Sequence, residues 1–200
     1  VGGSNSTSGH LKAGSYQQTA TAINGDDAAN YSFGGITTAD NNYVVNKLAL
    51  TGAAIAGVTT TYATAANTGA VSFTNVQGTD NVNASASIVD AVTSTSGNLK
   101  AGSYKQTATA ITGDDSANYS FAGVTTTDNN YVVNKLALTG AAIAGVTTTY
   151  ATAADAGAVS FTNVQGTDKV TASASIVGGS NSTSGHLNAG SYQQTATAIN

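Results

Sequence analysis

The chain repeats its own sequence with a period of 88 residues. The same stretch begins at Leu11 as LKAGSYQQTATAINGDD, at Leu99 as LKAGSYKQTATAITGDD and at Leu187 as LNAGSYQQTATAIN. Residues 8–89 and 96–177 differ at only 11 of 82 positions. A fixed period of this length is a unit of architecture. We therefore expect a chain that works through length and multiplicity instead of through one unique pocket.

A longer period of 176 residues overlies the first. Residues 1–24 and 177–200 differ only where Lys12 is replaced by Asn188, whereas the copy between them has a different junction, VDAVTSTSGN. The copies thus alternate in an A-B-A order, and the chain starts and stops inside a copy. We expect it to be a window from a longer array.

One period reads as a complete β-module. Residues 46–133 contain seven or so short alternating strands, with turns at spacings typical of a sandwich. Residues 1–45 then form the C-terminal part of one module, and residues 134–200 the N-terminal part of the next. We expect a tandem array of β-sandwich-like, immunoglobulin-like modules. A β-solenoid is the alternative, although its coils usually repeat every 20–30 residues or so.

The composition favours an all-β fold. The chain has no Cys, Met, Trp or Pro, and its ten acids are all Asp and its six bases all Lys. The strong polar helix formers are therefore nearly missing, whereas Thr, Val, Tyr and Gly-bounded runs favour strands and turns. Without cysteine, neither a disulfide framework nor a thiolate metal site is expected.

The charge excludes two classes of partner. The net charge is −4 and the isoelectric point about 4.6, which argues against nucleic acid and against docking on anionic lipid. No segment has the roughly 20 apolar residues of a membrane span, so we expect no membrane insertion. Only 8% of residues are charged, and such a surface favours side-by-side association.

Three stretches resemble the MBG/YDG-type tandem repeats of giant bacterial surface adhesins, which are haemagglutinin-like repeat proteins. AGSYKQTATAITGDDSANYSF (101–121) resembles that family's segment of the pattern GxYxVTAxxxGxDAxNYxx. DNNYVVNKLALTG (128–140) resembles the junction between its modules. Residues 58–82 resemble its first half, with Tyr62-Ala63-Thr64 where the family has Tyr-Asp-Gly. The resemblance implies an extracellular, non-enzymatic β-module used as a spacer or stalk.

The sequence does not predict an enzyme. His10 and His186 are the only histidines, and the middle copy has Asn98 at the equivalent position. A general base that a neighbouring copy replaces with Asn is not a base. The paired carboxylates lie side by side in turns, so they cannot straddle a substrate. We expect no required cofactor.

Calcium is the one candidate ligand that the turns suggest. Ca²⁺ takes six to eight or so oxygen ligands from carboxylates, amides and backbone. Asp and Asn also favour turns for purely structural reasons, so both interpretations stay open. The possible weak ligands are Asp26, Asp27, Asp40, Asp80, Asp114, Asp115, Asp128 and Asp168.

Three hypotheses for function follow. The first is a structural stalk of an extracellular adhesin or matrix protein, whose partners are the neighbouring modules of the same chain. The second is a self-assembling subunit of an extracellular filament or sheath, with other copies of itself as partners. The third is a carbohydrate-binding module that uses exposed tyrosines, although a cross-strand or core role is commoner for such residues; the candidates are Tyr16, Tyr31, Tyr43 and Tyr62.

Overall fold

The computed structural model describes residues 2–65 and 67–199, which form β-strands, turns and two single 3₁₀ turns. The predicted all-β class is therefore confirmed. The 3₁₀ turns span Ala28–Asn30 and Ser116–Asn118. Most strands are short because Gly, Asn and Asp interrupt the apolar runs and favour turns. Among the described residues, no helix has the length and apolar character that a membrane span needs.

The strands have two to seven residues, and only the last two exceed four. Those before residue 90 are β1 (Gly14–Tyr16), β2 (Thr19–Ala20), β3 (Ile36–Thr37), β4 (Tyr43–Val45), β5 (Leu48–Ala49), β6 (Ala54–Ile55), β7 (Val58–Thr61), β8 (Val71–Ser72), β9 (Asn83–Ala84) and β10 (Ser87–Ile88). Those after it are β11 (Gly102–Tyr104), β12 (Gln106–Ala108), β13 (Ile111–Thr112), β14 (Tyr119–Ser120), β15 (Val124–Thr125), β16 (Tyr131–Asn134), β17 (Ala142–Ile143), β18 (Val159–Ser160), β19 (Ala172–Val177) and β20 (Gln193–Ile199).

The chain forms two compact units, each assembled from three separate segments. The segments of the first are Val1–Thr59, Ala66–Ala91 and Ser103–Val132, and those of the second are Thr60–Ala65, Val92–Gly102 and Val133–Asn200. The predicted modules are continuous in sequence, and their boundaries after residues 45 and 133 stay a prediction. The sandwich-like arrangement and the solenoid alternative stay predictions as well.

Small antiparallel sheets build the first unit. β1 pairs with β4, β2 with β3, β6 with β8 and β9 with β13, while β12 lies between β10 and β15. One pairing is parallel: in the β5–β14 pair, Leu48 lies opposite Tyr119. A parallel pair needs a long connection, so this pairing joins segments that are far apart in the sequence.

The second unit contains equivalent pairings. β17 pairs with β18 as β6 does with β8, each partner being 88 residues later in the chain. β19 pairs with β20, with Ser175 opposite Thr195, as Ser87 lies opposite Thr107 in the β10–β12 pair. The same sequence therefore makes the same strand pairs in both units.

The alternating run at residues 101–111 predicts one long strand, but the structure divides it into β11, β12 and β13. The division follows a change of partner, because β12 pairs with β10 and β15 whereas β13 pairs with β9. The prediction of one long strand was therefore wrong. By contrast, the sequence Gln-Gly-Thr-Asp at residues 77–80 predicts a turn, and the structure confirms it, with the Asp80 N–H donating to Gln77 O over 2.9 Å.

The apolar core is thin. Among the described residues only five apolar side chains are buried, and these are Ile55, Ala108, Tyr119, Tyr131 and Val133. The rings of Phe73 and Phe121 meet edge to face at 5.2 Å. Because so little apolar area is buried, hydrogen bonds contribute a larger share of the stability than in an ordinary domain.

Gln106 is the polar centre of the first unit, with no exposed surface. Its Oε1 accepts from the Gly69 N–H over 2.7 Å, and its Nε2 donates to Ala56 O and Asn130 Oδ1 over 3.0 and 2.9 Å. All its amide atoms are therefore engaged. In the second unit Gln194 accepts from the Gly157 N–H over 2.6 Å in the same way.

Candidate functional site

Three short hairpins recur along the chain, at residues 4–12, 92–100 and 180–188, and we call them the junction hairpins. Each has an isolated antiparallel bridge and a backbone hydrogen bond across its tip, of 2.7 Å in the first hairpin and 2.8 Å in the other two. The tip sequence Ser-Thr-Ser-Gly is identical in all three. The three junction hairpins therefore share one tip sequence and one backbone arrangement.

The first junction hairpin packs against the Gln-Gly-Thr-Asp turn at residues 77–80, which we call the first Asp turn. The Ser8 N–H donates to Asp80 Oδ1 over 2.8 Å, and Ser8 Oγ donates to Gln77 O over 2.6 Å. The same Oγ accepts from the Thr79 N–H over 2.8 Å. One serine thus uses its backbone donor, its hydroxyl donor and its lone pairs to hold the hairpin.

The second junction hairpin makes the same contact with the second Asp turn, at residues 165–168. Ser96 donates through its N–H to Asp168 Oδ1 over 3.0 Å and through Oγ to Gln165 O over 2.6 Å. Its Oγ accepts from the Thr167 N–H over 2.8 Å. Every partner lies 88 residues after its counterpart, so the identical sequence forms the identical contact twice.

A third segment completes the first site. Residues 113–120, which we call the docking segment, lie in a cleft formed by the first junction hairpin, β5 and the first Asp turn. The Asp115 carboxylate accepts from Thr7 N–H over 3.2 Å, Thr7 Oγ1 over 2.6 Å and Asn81 N–H over 3.0 Å. Asp115 is 1% exposed, and such a buried carboxylate requires donors of this kind.

Asn118 and Tyr119 also bind within the first cleft. Asn118 Oδ1 accepts from the Ala13 N–H over 2.9 Å. The Tyr119 hydroxyl donates to Asp80 Oδ2 over 2.7 Å and accepts from the Gln77 N–H over 3.0 Å. The docking segment therefore bonds to both the hairpin and the turn that the hairpin covers.

These contacts set the ionisation of the site. Burial opposes the charge of Asp80, but hydrogen bonds from Tyr119 and Ser8 outweigh burial and lower its pKa to about 2. The hydrogen bond from the Thr7 hydroxyl lowers the pKa of Asp115. Burial, and then the bond to Asp80, raise the pKa of Tyr119. At neutral pH both carboxylates are ionised acceptors.

The corresponding space beside the second junction hairpin is an open cavity of about 660 Å³, which we call the second cleft. Asp168 lies in this cleft and accepts a hydrogen bond from the Tyr62 hydroxyl, which is also hydrogen-bonded to Ser94 Oγ. The bond from Tyr62 lowers the pKa of Asp168 to about 2. Other lining residues are Thr95, Lys100, Ala101, Lys135, Leu136, Leu138, Gln165 and Lys169.

The predicted calcium ligands are distributed between surface and interior. The structure brings Asp80 and Asp115 to the same hairpin tip, and N–H and O–H donors occupy both carboxylates. In the part of the chain that the structure describes, no three acidic or histidine side chains form a group able to hold a metal ion. Calcium binding stays a prediction. The exposed members of the set are Asp26, Asp27, Asp40, Asp114 and Asp128, and Asp168 is half-buried.

The tyrosines proposed for sugar stacking have different environments. Tyr16 and Tyr43 lie opposite each other on β1 and β4, and Tyr16 donates to Lys12 O over 2.7 Å. Tyr62 is bound to Asp168, whereas the side chain of Tyr31 is 72% exposed. Carbohydrate binding stays a prediction.

The histidines lie at the hairpin tips. His10 is exposed, and its backbone oxygen accepts from the Ser6 N–H over 2.7 Å. The ring of His186 meets that of Tyr150 edge to face at 5.9 Å. In the middle hairpin, Asn98 makes the same backbone bond to Ser94 over 2.8 Å. The backbone of this position has the same role in each hairpin, whichever side chain it carries.

Sequence reasoning did not identify Thr7, Ser8 or Gln106 as key residues. A signal for the first two was present: residues 1–5 and 89–93 differ strongly, yet both lead into the same Ser-Thr-Ser-Gly. An unchanged polar tip after a changed stem indicates a tip that makes specific contacts.

No protein-family model matches the chain, and neither a curated protein nor a solved structure matches it significantly.

Proposed function

We propose that this chain is a structural, non-catalytic repeat region, which serves as the stalk or spacer of a large extracellular bacterial adhesin or matrix protein. Its modules would be sandwich-like and would follow one another at the 88-residue period. One observation supports this most: the contact between junction hairpin and Asp turn occurs twice, with the same atoms, at that spacing. A chain that repeats one contact in this way can be lengthened because each added repeat forms the same contact.

The chemistry of the site also supports a structural role. The carboxylates of Asp80 and Asp115 accept hydrogen bonds from backbone and hydroxyl donors of segments distant in sequence. These bonds use the acceptor sites that a substrate proton or a ligand would need. The carboxylates therefore hold together segments that are distant in the sequence.

A length series tests the proposal. Chains lengthened by one and by two further periods would be compared with the present chain by small-angle scattering. A stalk gains a constant increment of maximum dimension per period, about 30–40 Å if two or so short strands lie end to end. A maximum dimension that stays constant while mass increases would contradict a stalk. Glycan-array binding by any of the chains would instead favour the carbohydrate-binding alternative.

A further inference from the structure

The pairing of β5 with β14 differs in direction from the antiparallel pairs around it. Leu48 lies opposite Tyr119 and Ala49 opposite Ser120, so the two strands run the same way. The ladder continues in a backbone hydrogen bond from the Leu50 N–H to Ser120 O, over 2.9 Å. The residues before β5 lead toward the start of the chain, and the residues after β14 lead toward its end.

Strand direction decides how such a pair responds to tension along the chain. Tension pulls β5 toward the residues before it and β14 toward the residues after it. In a parallel pair these two pulls slide one strand along the other, so the evenly spaced hydrogen bonds resist together. In an antiparallel pair the start of the first strand lies beside the end of the second, and the same tension opens one bond at a time.

Three antiparallel pairs of the first unit lie along the chain between β5 and β14. In each of them the start of the first strand is opposite the end of the second, as Ala54 is opposite Ser72. Tension that reached these pairs would open them from one end. The β5–β14 ladder joins the chain on both sides of them, so tension passes from one strand to the other without crossing them. The three pairs are β6–β8, β9–β13 and β10–β12.

The other contacts of the docking segment have the same order as the ladder. Asp115 accepts from Thr7 Oγ1 over 2.6 Å, and Asn118 Oδ1 accepts from the Ala13 N–H over 2.9 Å. β14 then follows beside β5. As the docking segment proceeds, its partners also come later in the chain. Tension that enters through the first junction hairpin is therefore resisted in the same sliding direction.

A buried side chain holds β14 in its register. Tyr119 is 3% exposed, and its hydroxyl donates to Asp80 Oδ2 and accepts from the Gln77 N–H. A slip of one residue turns every side chain of a strand to the opposite face. Such a slip would therefore take the Tyr119 hydroxyl away from both partners. This contact opposes the same sliding movement that the ladder opposes.

We propose that β5 and the docking segment form a clamp that bears tension along the chain and shields residues 50–118 from it. The inference rests on the proposed stalk function, because tension acts on a stalk between its two attached ends. It also goes beyond that function. A spacer needs only length, whereas resistance to tension needs the parallel direction of this pair.

Single-molecule force spectroscopy with two attachment geometries tests the clamp. The chain has no cysteine, so a pair of introduced cysteines fixes the two points at which force is applied. Lys47→Cys with Ala122→Cys pulls β5 toward its start and β14 toward its end, which is the sliding geometry. Thr51→Cys with Ala122→Cys pulls both strands from their C-terminal ends, which is the peeling geometry. Peeling loads the bond between Leu50 and Ser120 first.

We expect the force at which the chain first yields to be about twofold or more higher in the sliding geometry, because several bonds share the force there whereas one bond carries it during peeling. The three attachment residues are exposed. Circular dichroism and urea denaturation of both double variants should therefore match the unchanged chain. Equal yielding forces overturn the proposal, and so does a lower force in the sliding geometry.

A further variant tests the shielding. Ile55, in β6, is 8% exposed, so Ile55→Val weakens packing within the shielded residues and lowers the urea midpoint. In the sliding geometry the first yielding force should stay unchanged, and a force that falls together with the urea midpoint overturns the shielding. The length series for the stalk measures dimension without tension. A stalk without the clamp passes that series and fails here, so the two proposals fail independently.

Discussion

The hydroxyl of Tyr119 donates a 2.7 Å hydrogen bond to Oδ2 of Asp80, while Ser8 donates to Oδ1 of the same carboxylate over 2.8 Å. One side chain thus joins a hairpin before it in the chain and a docking segment after it. The joined segments are 72 and 39 residues from Asp80. Because the apolar core is thin, we expect this carboxylate to contribute strongly to stability.

Tyr119→Phe should lower the free energy of unfolding by about 1–2 kcal/mol, because it removes the donor to Asp80 and leaves the Gln77 N–H without its acceptor. Urea denaturation followed by tyrosine fluorescence measures this change. Tyr31→Phe is the matched control, since Tyr31 has the same local sequence and is 72% exposed. It should change stability by less than about 0.5 kcal/mol. Equal losses in both variants would contradict the described site.

Acid should destabilise the chain through Asp80. Its pKa is about 2 in the folded chain and about 3.9 when unfolded. The unfolded chain therefore binds the proton more tightly, and the stabilisation is complete above about pH 4 and is lost as pH falls toward about 2. Asp168 and Asp115 contribute in the same direction. Melting temperature recorded from pH 7 to pH 2 should decrease across this window.

Asp80→Asn separates the contribution of Asp80 from that of the other acids. The variant should melt at a lower temperature at pH 7 and should lose less stability between pH 4 and pH 2, because one of the titrating groups is gone. Asp40→Asn, at an exposed turn, provides the control and should keep the original pH profile. An Asp80→Asn profile as steep as that of the unchanged chain would count against the hydrogen-bonded carboxylate.

Local features of the fold were predictable from sequence. The composition indicated an all-β chain, and the turn at residues 77–80 follows from Gly and Asp, which favour turn backbones. The strand division within residues 101–111 was not predictable, because alternation is the same whether a strand keeps one partner or changes partners. Strand pairing depends on segments distant in the sequence, and the local pattern of apolar and polar residues does not show which segment will be the partner.

The site shows the same limit more sharply. Residues 25–32 and 113–120 are nearly identical, yet only the second segment is buried in a cleft. No reading of the local sequence could separate them. The same limit applies to Gln106. Like Gln18 and Gln194 it follows Gln or Lys and precedes Thr, yet Gln106 is buried and Gln18 is exposed. The burial of these residues depends on which other copies of the repeat surround them.

Gln106→Leu should destabilise the first unit by about 2–4 kcal/mol. The substitution leaves the buried Gly69 N–H without its acceptor and removes the donor to Ala56 O and Asn130 Oδ1, and a lost partner of a buried group costs about 1–3 kcal/mol. Gln18→Leu is the control, because Gln18 is exposed and its side chain donates a 3.0 Å bond to Asn42 Oδ1 at the surface. Urea denaturation should show a large decrease for the first variant and little for the second. Comparable decreases would mean that the buried amide is not a special stabilising group.

Gly78→Ala should test how closely the first junction hairpin approaches the first Asp turn. Gly78 has φ of +48°, and a Cβ there would lie 2.8 Å from Ser8 Oγ. Gly9 has φ of +83° with open space around it, so Gly9→Ala carries only the left-handed backbone cost, about 1–2 kcal/mol. Gly78→Ala should cost about 1 kcal/mol more, because the hairpin must shift.

The Gly78→Ala substitution should also be made in a Ser8→Gly background. That background lacks the hydroxyl with which the new methyl group would clash. In that background Gly78→Ala should lose its additional cost and become equivalent to Gly9→Ala. Urea denaturation of the four chains forms a double-mutant cycle whose interaction energy reports the contact. An interaction energy near zero would show that Ser8 does not pack against the turn, and the described junction would then have to be abandoned.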